Sequence, residues 1–384
     1  MNCIEYPFDE VVTLFDKQRV PLSSMDRAKR QGKYRYYGAQ GIIDYIDDYI
    51  FDGEYILLAE DGENLKSNKQ NLAQLVDGKF WVNNHAHILR TKRICRLRYF
   101  YYWINSKNMT EYVTGSAQPK LSQSSLKKMV IPLPSLEVQD KILGVIIPID
   151  EKIKENARIN KNLEEQAKAI LTHLLEVSED STLARLGNYL YIKGRIGWKG
   201  LKKSEYLNHS DYRIINGESL TTSGIDWDKT GYISKVRYDE SPEIMLQIGD
   251  ILLSKDGTIG KIGYVNQLDA PTSVASGIFV IRNTKPDIIS TPFIYYLLKS
   301  SLFNSFVAGR TEGSVIPHLY QKDFKEFEFP LPSKKEMSTF DDLIGPQFEK
   351  FFANQVENEY LAKLRGTLLP KLMSGEIDVS ALEF

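Results

Sequence analysis

Two histidines, His85 and His87, stand two residues apart in Asn83-Asn84-His85-Ala86-His87, a spacing that puts both on one face of a strand. A metal pair needs a third ligand, and none stands near them in sequence, so both are expected at the surface or at a strand end. Gly257-Thr258-Ile259-Gly260-Lys261 shares glycines and a lysine with phosphate loops but lacks their Gly-Lys-Ser/Thr ending. Cys3 and Cys95 are too far apart for zinc-type spacing and too few for a disulfide framework. With no signal peptide in view, a reducing cytoplasm is the expected location. Neither Gly-x-Ser-x-Gly nor His-Glu-x-x-His occurs. The Asn-Pro-Pro-aromatic motif of amino-methyltransferases and the acidic-acidic-lysine core of restriction nucleases are also missing. The chemistry on offer is binding.

The residues that could bind are cations interleaved with aromatics. Arg27 to Gly38 reads Arg-Ala-Lys-Arg-Gln-Gly-Lys-Tyr-Arg-Tyr-Tyr-Gly, which makes Arg30, Lys33, Tyr34, Arg35, Tyr36 and Tyr37 candidates for DNA contact. Later in the chain Lys193, Arg195, Trp198 and Lys199 form a similar group, followed by Lys202 and Lys203. Two Gly/Pro-shaped loops, Gly115 to Lys120 and Gly313 to His318, present Gln118, Lys120 and His318, and the glycine-rich turn adds Lys255, Thr258 and Lys261. A second reading treats the charge runs as solvated faces and the loops as structural turns.

Positioning such groups requires a scaffold, and the chain supplies one twice. Its 384 residues are 42% hydrophobic and 26% charged, as in a globular protein of two or three domains. Basic and acidic residues number 49 and 50, for a net charge of −1, which excludes a polybasic DNA binder but leaves room for a local basic face. No apolar run approaches the ~18 residues of a membrane span. Pro132-Leu133-Pro134-Ser135 returns 198 residues later as Pro330-Leu331-Pro332-Ser333. At the same offset Gly115-Ser116 matches Gly313-Ser314, Asn156 matches Asn354, Asn160 matches Asn358 and Leu163 matches Leu361. Upstream, Ile56-Leu57-Leu58-Ala59-Glu60-Asp61-Gly62 resembles Ile251-Leu252-Leu253-Ser254-Lys255-Asp256-Gly257, a buried strand ending in an Asp-Gly turn. Tyr101 to Ile104 and Tyr295 to Leu298 read as a helix on the sheet, and the second copy carries an apparent insertion around Trp227 to Pro242.

Each copy ends in a long helix. Ser135 and Ser333 are expected N-caps, with Glu336 completing a capping box. Pro148 and Pro346 are expected to kink or split the helices. A three–four spacing joins Ile149, Ile153, Asn156, Asn160, Leu163 and Ile170, and Phe351, Asn354, Asn358, Leu361 and Leu368 repeat it. Such a seam predicts helix-on-helix packing, antiparallel with Asn160 facing Asn358 across a pseudo-two-fold axis. Solvent-facing or partner-facing asparagines are the other reading.

In this arrangement the chain resembles the specificity (S) subunit of type I restriction-modification systems. The resemblance rests on the duplicated order and on Tyr36-Tyr37-Gly38-Ala39-Gln40-Gly41-Ile42-Ile43-Asp44-Tyr45, Phe51 to Tyr55 with Glu60-Asp61-Gly62, and Gly249-Asp250-Ile251-Leu252. Ile131 to Gln139 and the tail Leu368 to Ile377 add to it. It implies two α/β (α+β) target recognition domains, 1–134 and 181–332, each followed by a long helix, 135–180 and 333–384. The helices would pair as an antiparallel coiled-coil spacer. It also implies double-stranded DNA read as two halves of a split, asymmetric target. Two methyltransferase (M) subunits would carry S-adenosylmethionine, and restriction/translocase (R) subunits would join, with no catalysis or cofactor on this chain. The first copy departs from the family entry, because Leu183-Ala184-Arg185-Leu186-Gly187 has no glycine-bearing counterpart near Tyr6 to Glu10. The rival reading is a protein-interaction scaffold with two globular binding domains and no DNA role.

Overall fold

The computed structural model describes residues 2–67, 70–115, 118–178, 181–196, 200–311, 318–379 and 382. The chain divides into two compact units, Met1–Lys154 with Glu357–Phe384, and Glu155–Val356. Each boundary falls inside a long helix, so each unit holds one globule and a part of both helices.

The first unit begins with β1 (Ile4–Pro7), β2 (Val12–Leu14), β3 (Gln31–Gly38), β4 (Gly41–Ile46) and β5 (Phe51–Asp52). Then follow β6 (Tyr55–Ala59), β7 (Ala73–Val76), β8 (Lys79–Val82), β9 (Ala86–Thr91) and β10 (Val130–Leu133). The continuous apolar run of β6 is buried throughout, as befits an interior strand covered on both faces, and it lies inside the sheet β2-β9-β6-β7. Its residues alternate between two cores. Ile56 and Leu58 pack with Phe100 and Trp103 of the Leu97–Asn105 helix, whereas Tyr55 and Leu57 pack with Tyr37, Phe51 and Phe80. The other sheet is β4-β3-β8-β5, with β3 and β8 parallel, and β1 pairs with β10.

The second unit holds β11 (Thr182–Arg185), β12 (Leu190–Gly194), β13 (Tyr212–Ile215), β14 (Leu220–Thr221), β15 (Gly224–Ile225) and β16 (Gly231–Ile233). It continues with β17 (Ile251–Ser254), β18 (Ile262–Tyr264), β19 (Thr272–Val274), β20 (Ile278–Asn283) and β21 (Glu328–Leu331). Its sheet β12-β20-β17-β18 repeats β2-β9-β6-β7, and β16-β13-β19 repeats β4-β3-β8 down to the parallel pair. The pair β11-β21 likewise repeats β1-β10. The expected insertion therefore moves: β16 has a counterpart in β4, and the added piece of sheet is the β14-β15 hairpin. The first unit also builds its opening strand without the glycine. Phe8 N–H bonds the Met129 carbonyl just as Leu186 N–H bonds that of Phe327.

The long helices run Leu136–Val177 and Lys334–Ser374, uninterrupted by Pro148 or Pro346. The prolines do not split them. Both are exposed, so water can satisfy the carbonyl each proline leaves without an N–H partner. Ser333 and Glu336 form the expected capping box, with Ser333 N–H donating to the Glu336 carboxylate at 2.8 Å.

Within each unit the helix segments run antiparallel, because partners rise in number on one helix as they fall on the other. In the second unit Asn160 donates to the Phe351 carbonyl at 2.9 Å and accepts from Asn354 at 2.8 Å, while Ser178 reaches Glu336. In the first unit Asn358 donates to the Ile153 carbonyl and Arg365 pairs with Asp150. The expected Asn160–Asn358 bond is thus replaced by Asn160–Asn354, because each amide reaches a backbone carbonyl on the facing helix rather than its own repeat mate. Asn156, Asn160, Asn354 and Phe351 are buried, and Ile149, Ile153, Leu163, Ile170, Asn358, Leu361 and Leu368 are half-buried.

Candidate nucleic-acid interface

The basic stretch of the first unit runs from the end of a short helix, Ser24–Ala28, through β3, and most of its cations are already committed. Arg27 pairs with Asp44, and Arg30 pairs with Asp47 while stacking over Trp81. Arg35 reaches the Asp77 carbonyl. Tyr36 and Tyr37 are core residues, which corrects their assignment as DNA contacts. The strand's alternation and a bulge turn them inward, and the Tyr36 hydroxyl accepts from Leu22 N–H. Lys33 is exposed, and half-buried Tyr34 lies 5.1 Å from Tyr49.

The loop candidates gather at one end of each sheet. In the first unit Lys120 pairs backbone to backbone with Thr114, its ammonium lies 3.2 Å from Glu60, and Gln118 beside it is exposed. Gly115, at φ +85°, makes the tight return that this pairing needs. In the second unit Asp256, after β17, bridges His318 through backbone and ring. Lys255 lies over Phe279 and Lys261 donates to the Gly217 carbonyl, with Thr258 exposed between them. Half-buried Lys193 lies one residue before the end of β12, at the same end of the sheet. Trp198 and Lys199 lie outside the described residues. Arg195 is corrected: it is 2% exposed and donates to the Val274 carbonyl and to the Ser241 and Ser273 hydroxyls. Burial, reinforced by Arg237 nearby, holds its guanidinium below the ordinary value.

Under the first unit's loop lies a network that sequence spacing did not disclose. Asp16 takes a hydrogen bond from Ile88 N–H at 2.8 Å, lies 2.6 Å from His87 Nδ1 and 2.6 Å from the Gln123 amide. His87 Nε2 faces the Leu121 carbonyl at 2.7 Å, an acceptor only, so that nitrogen carries a proton. His87 is fully buried, correcting the surface reading, while His85 is exposed and pairs with Asp61. Burial alone would raise the Asp16 and Glu60 carboxyls. The hydrogen bond and charge of His87 outweigh it at Asp16, and Arg19, His87 and Lys120 outweigh it at Glu60, so both are held low. Asp16, Glu60 and His87 have ligand atoms within 4.8 Å of one another. Arg19 and Lys120 already balance their charge, so the set fits an ion network that anchors Leu121 rather than a metal site. Residues 16, 60, 87 and 121 come from four separate segments that tertiary packing brings together, and no local pattern could have announced them.

At the matching register of the second sheet stand Gly194, Lys255 and Phe279. One scaffold carries two different fillings.

The family described as type I restriction modification DNA specificity domain matches residues 5–165 and 186–365. A Haemophilus influenzae protein provisionally designated a type I restriction enzyme specificity subunit is 27% identical over 350 residues, 86% of this chain and 83% of its own. A type I restriction enzyme specificity subunit of Methanocaldococcus jannaschii is 22% identical over 418 residues, covering 100% of this chain and 96% of its own. The crystal structure of the type I restriction-modification S subunit from M. genitalium shares the fold, at a TM-score of 0.66 and 20% identity over 97% of this chain and 96% of that one. With the family matching both halves of a duplicated fold, the chain belongs to the type I restriction-modification DNA specificity family, the non-catalytic component of those systems.

Proposed function

We propose that each globular unit reads one half of a split, asymmetric DNA target, and that the paired helices set the half-site spacing and dock methyltransferase subunits. One observation carries the reading. The same four-stranded sheet occurs twice, and its loop-bearing end is filled by Asp16, Glu60 and His87 in one copy and by Gly194, Lys255 and Phe279 in the other. A shared scaffold with divergent loops is what two different half-sites require, because base contacts specify sequence while phosphate contacts position the protein. Gln118, Lys120, Lys255, Thr258, Lys261 and His318 are the side chains assigned to the DNA side, together with Lys33 and Tyr34. Double-stranded DNA and two methyltransferase subunits are the partners, with restriction subunits joining for cleavage. S-adenosylmethionine belongs to the methyltransferase subunits.

Exchange of residues 1–134 for another recognition domain of the family tests the reading. Sequencing of methylated DNA from cells carrying the chimeric complex should show one half of the motif changed and the other retained. A change in both halves, or in neither, would refute modular reading.

A further inference from the structure

We propose that the open edge of β2 is a phosphate-binding surface on which Lys17, Lys92 and Lys127 hold the backbone of the target DNA. The inference rests on the DNA-reading function above and adds to it a surface that none of the motif-derived candidates includes. Among the described residues β2 pairs with no strand but β9, and its other edge carries no second strand, although its Val12 N–H is taken by the Phe8 carbonyl. Beside that edge lies a cavity of about 420 Å³ bordered by the three lysines, Val12 to Leu14, Asp9, Asp16 and Gln123.

The charge there is unbalanced. Among the described residues Lys17 meets no carboxylate, and the Lys92 ammonium meets only the Asp9 backbone carbonyl. Lys127 has one pair, 3.4 Å from exposed Asp9. Arg90, opposite Thr13 on β9, is exposed and lies over Tyr55. Asp16, the other acid bordering the cavity, is buried and committed to His87 and Arg19. The β3-β4 hairpin differs, since Arg27 and Arg30 each hold an aspartate. So does the second unit, where Arg282, at the register of Arg90, grips Asp250 with two nitrogens.

Lysines beside an open strand also discourage edge-to-edge pairing, which accounts for cations there but not for the missing acids. The surface joins the loop already assigned to DNA. Asp16 binds Gln123 and His87, and His87 in turn holds the carbonyl of Leu121, next to Lys120. Flexible ammonium groups suit phosphates, which demand charge but no fixed fork geometry. A duplex that places Gln118 and Lys120 at its bases would thus find its backbone beside these three lysines.

The test uses the full complex with methyltransferase subunits and a duplex carrying the methylated motif. DNA affinity is measured across a salt series for the wild type, for Lys17→Gln/Lys92→Gln/Lys127→Gln, and for the same three positions changed to Arg. Each phosphate contact contributes roughly 0.9 to the log–log salt slope, so the glutamine variant should be shallower by about 2 to 3, with arginine restoring the slope. The ratio of specific to non-specific affinity should stay constant. An unchanged slope beside a steep wild-type slope overturns this surface and leaves the family reading standing. A glutamine variant that no longer assembles with the methyltransferase subunits assigns the edge to an acidic protein face and overturns it too. A wild-type complex without salt-dependent binding removes both the surface and the DNA function.

Discussion

Asp16 and Glu60 lie beneath the loop of Lys120, and their carboxyls are held below the ordinary range by His87, Arg19 and, at Glu60, Lys120, against the opposing effect of burial. A carboxylate whose folded pKa is lowered contributes stability that is present above its unfolded value and lost as pH falls through the folded one. Acidification below about pH 4, the unfolded carboxylate range, should therefore loosen the first unit. Asp16→Asn should be less stable than the wild type at pH 7, and the two should converge as pH falls from about 4 to 2, a difference that thermal unfolding in a pH series would measure. Equal spacing of the two curves at every pH would show that Asp16 does not titrate in this network. At the same scale, Tyr36 and Arg195 show why residue type misleads. Both belong to stretches that read as DNA-facing, yet strand alternation sends one inward and a buried set of hydroxyls and a carbonyl receives the other.

At the scale of elements, the helix segments are held differently in the two units, although their sequences align. In the first, the Tyr102 hydroxyl and Arg365 both donate to Asp150, and burial together with that carboxylate raises the Tyr102 pKa. In the second, the position matching Asp150 is Phe348, packed edge-on against Tyr295 and Tyr296. Phe348→Ala should cost about 3–5 kcal/mol by opening a cavity. Asp150→Ala should cost about 1–3 kcal/mol by leaving a hydroxyl and a guanidinium unpaired. Denaturant unfolding at low and high salt separates them, since salt should weaken only the ionic joint. The seam itself was legible in sequence because a three–four spacing of apolar residues survives any tertiary detail. Which asparagine meets which was not, because antiparallel register depends on where the two helices cross.

At the scale of the whole molecule, one hydrogen bond occurs twice at the repeat offset: Asn160 to the Phe351 carbonyl, and Asn358 to that of Ile153. On the function proposed here the helices act as a ruler. A helical turn of about four residues inserted after Leu163 advances the axis by roughly 5–6 Å. Methylome sequencing should then report a changed gap between half-sites or a complex that fails to assemble. An unchanged motif at full activity would rule out the ruler. The amino-acid sequence alone determined the duplication, the buried strand before each Asp-Gly turn, the helix caps and the family, since each is carried by residues close in the chain or by an order of motifs. Tertiary structure alone decided which cations are free and which are tied to aspartates. It also decided that His87 is buried and that the edge of β2 is bordered by Lys17, Lys92 and Lys127. Those outcomes follow from pairing between segments 17 to 71 residues apart, and neither periodicity nor composition encodes which partner a charge will meet.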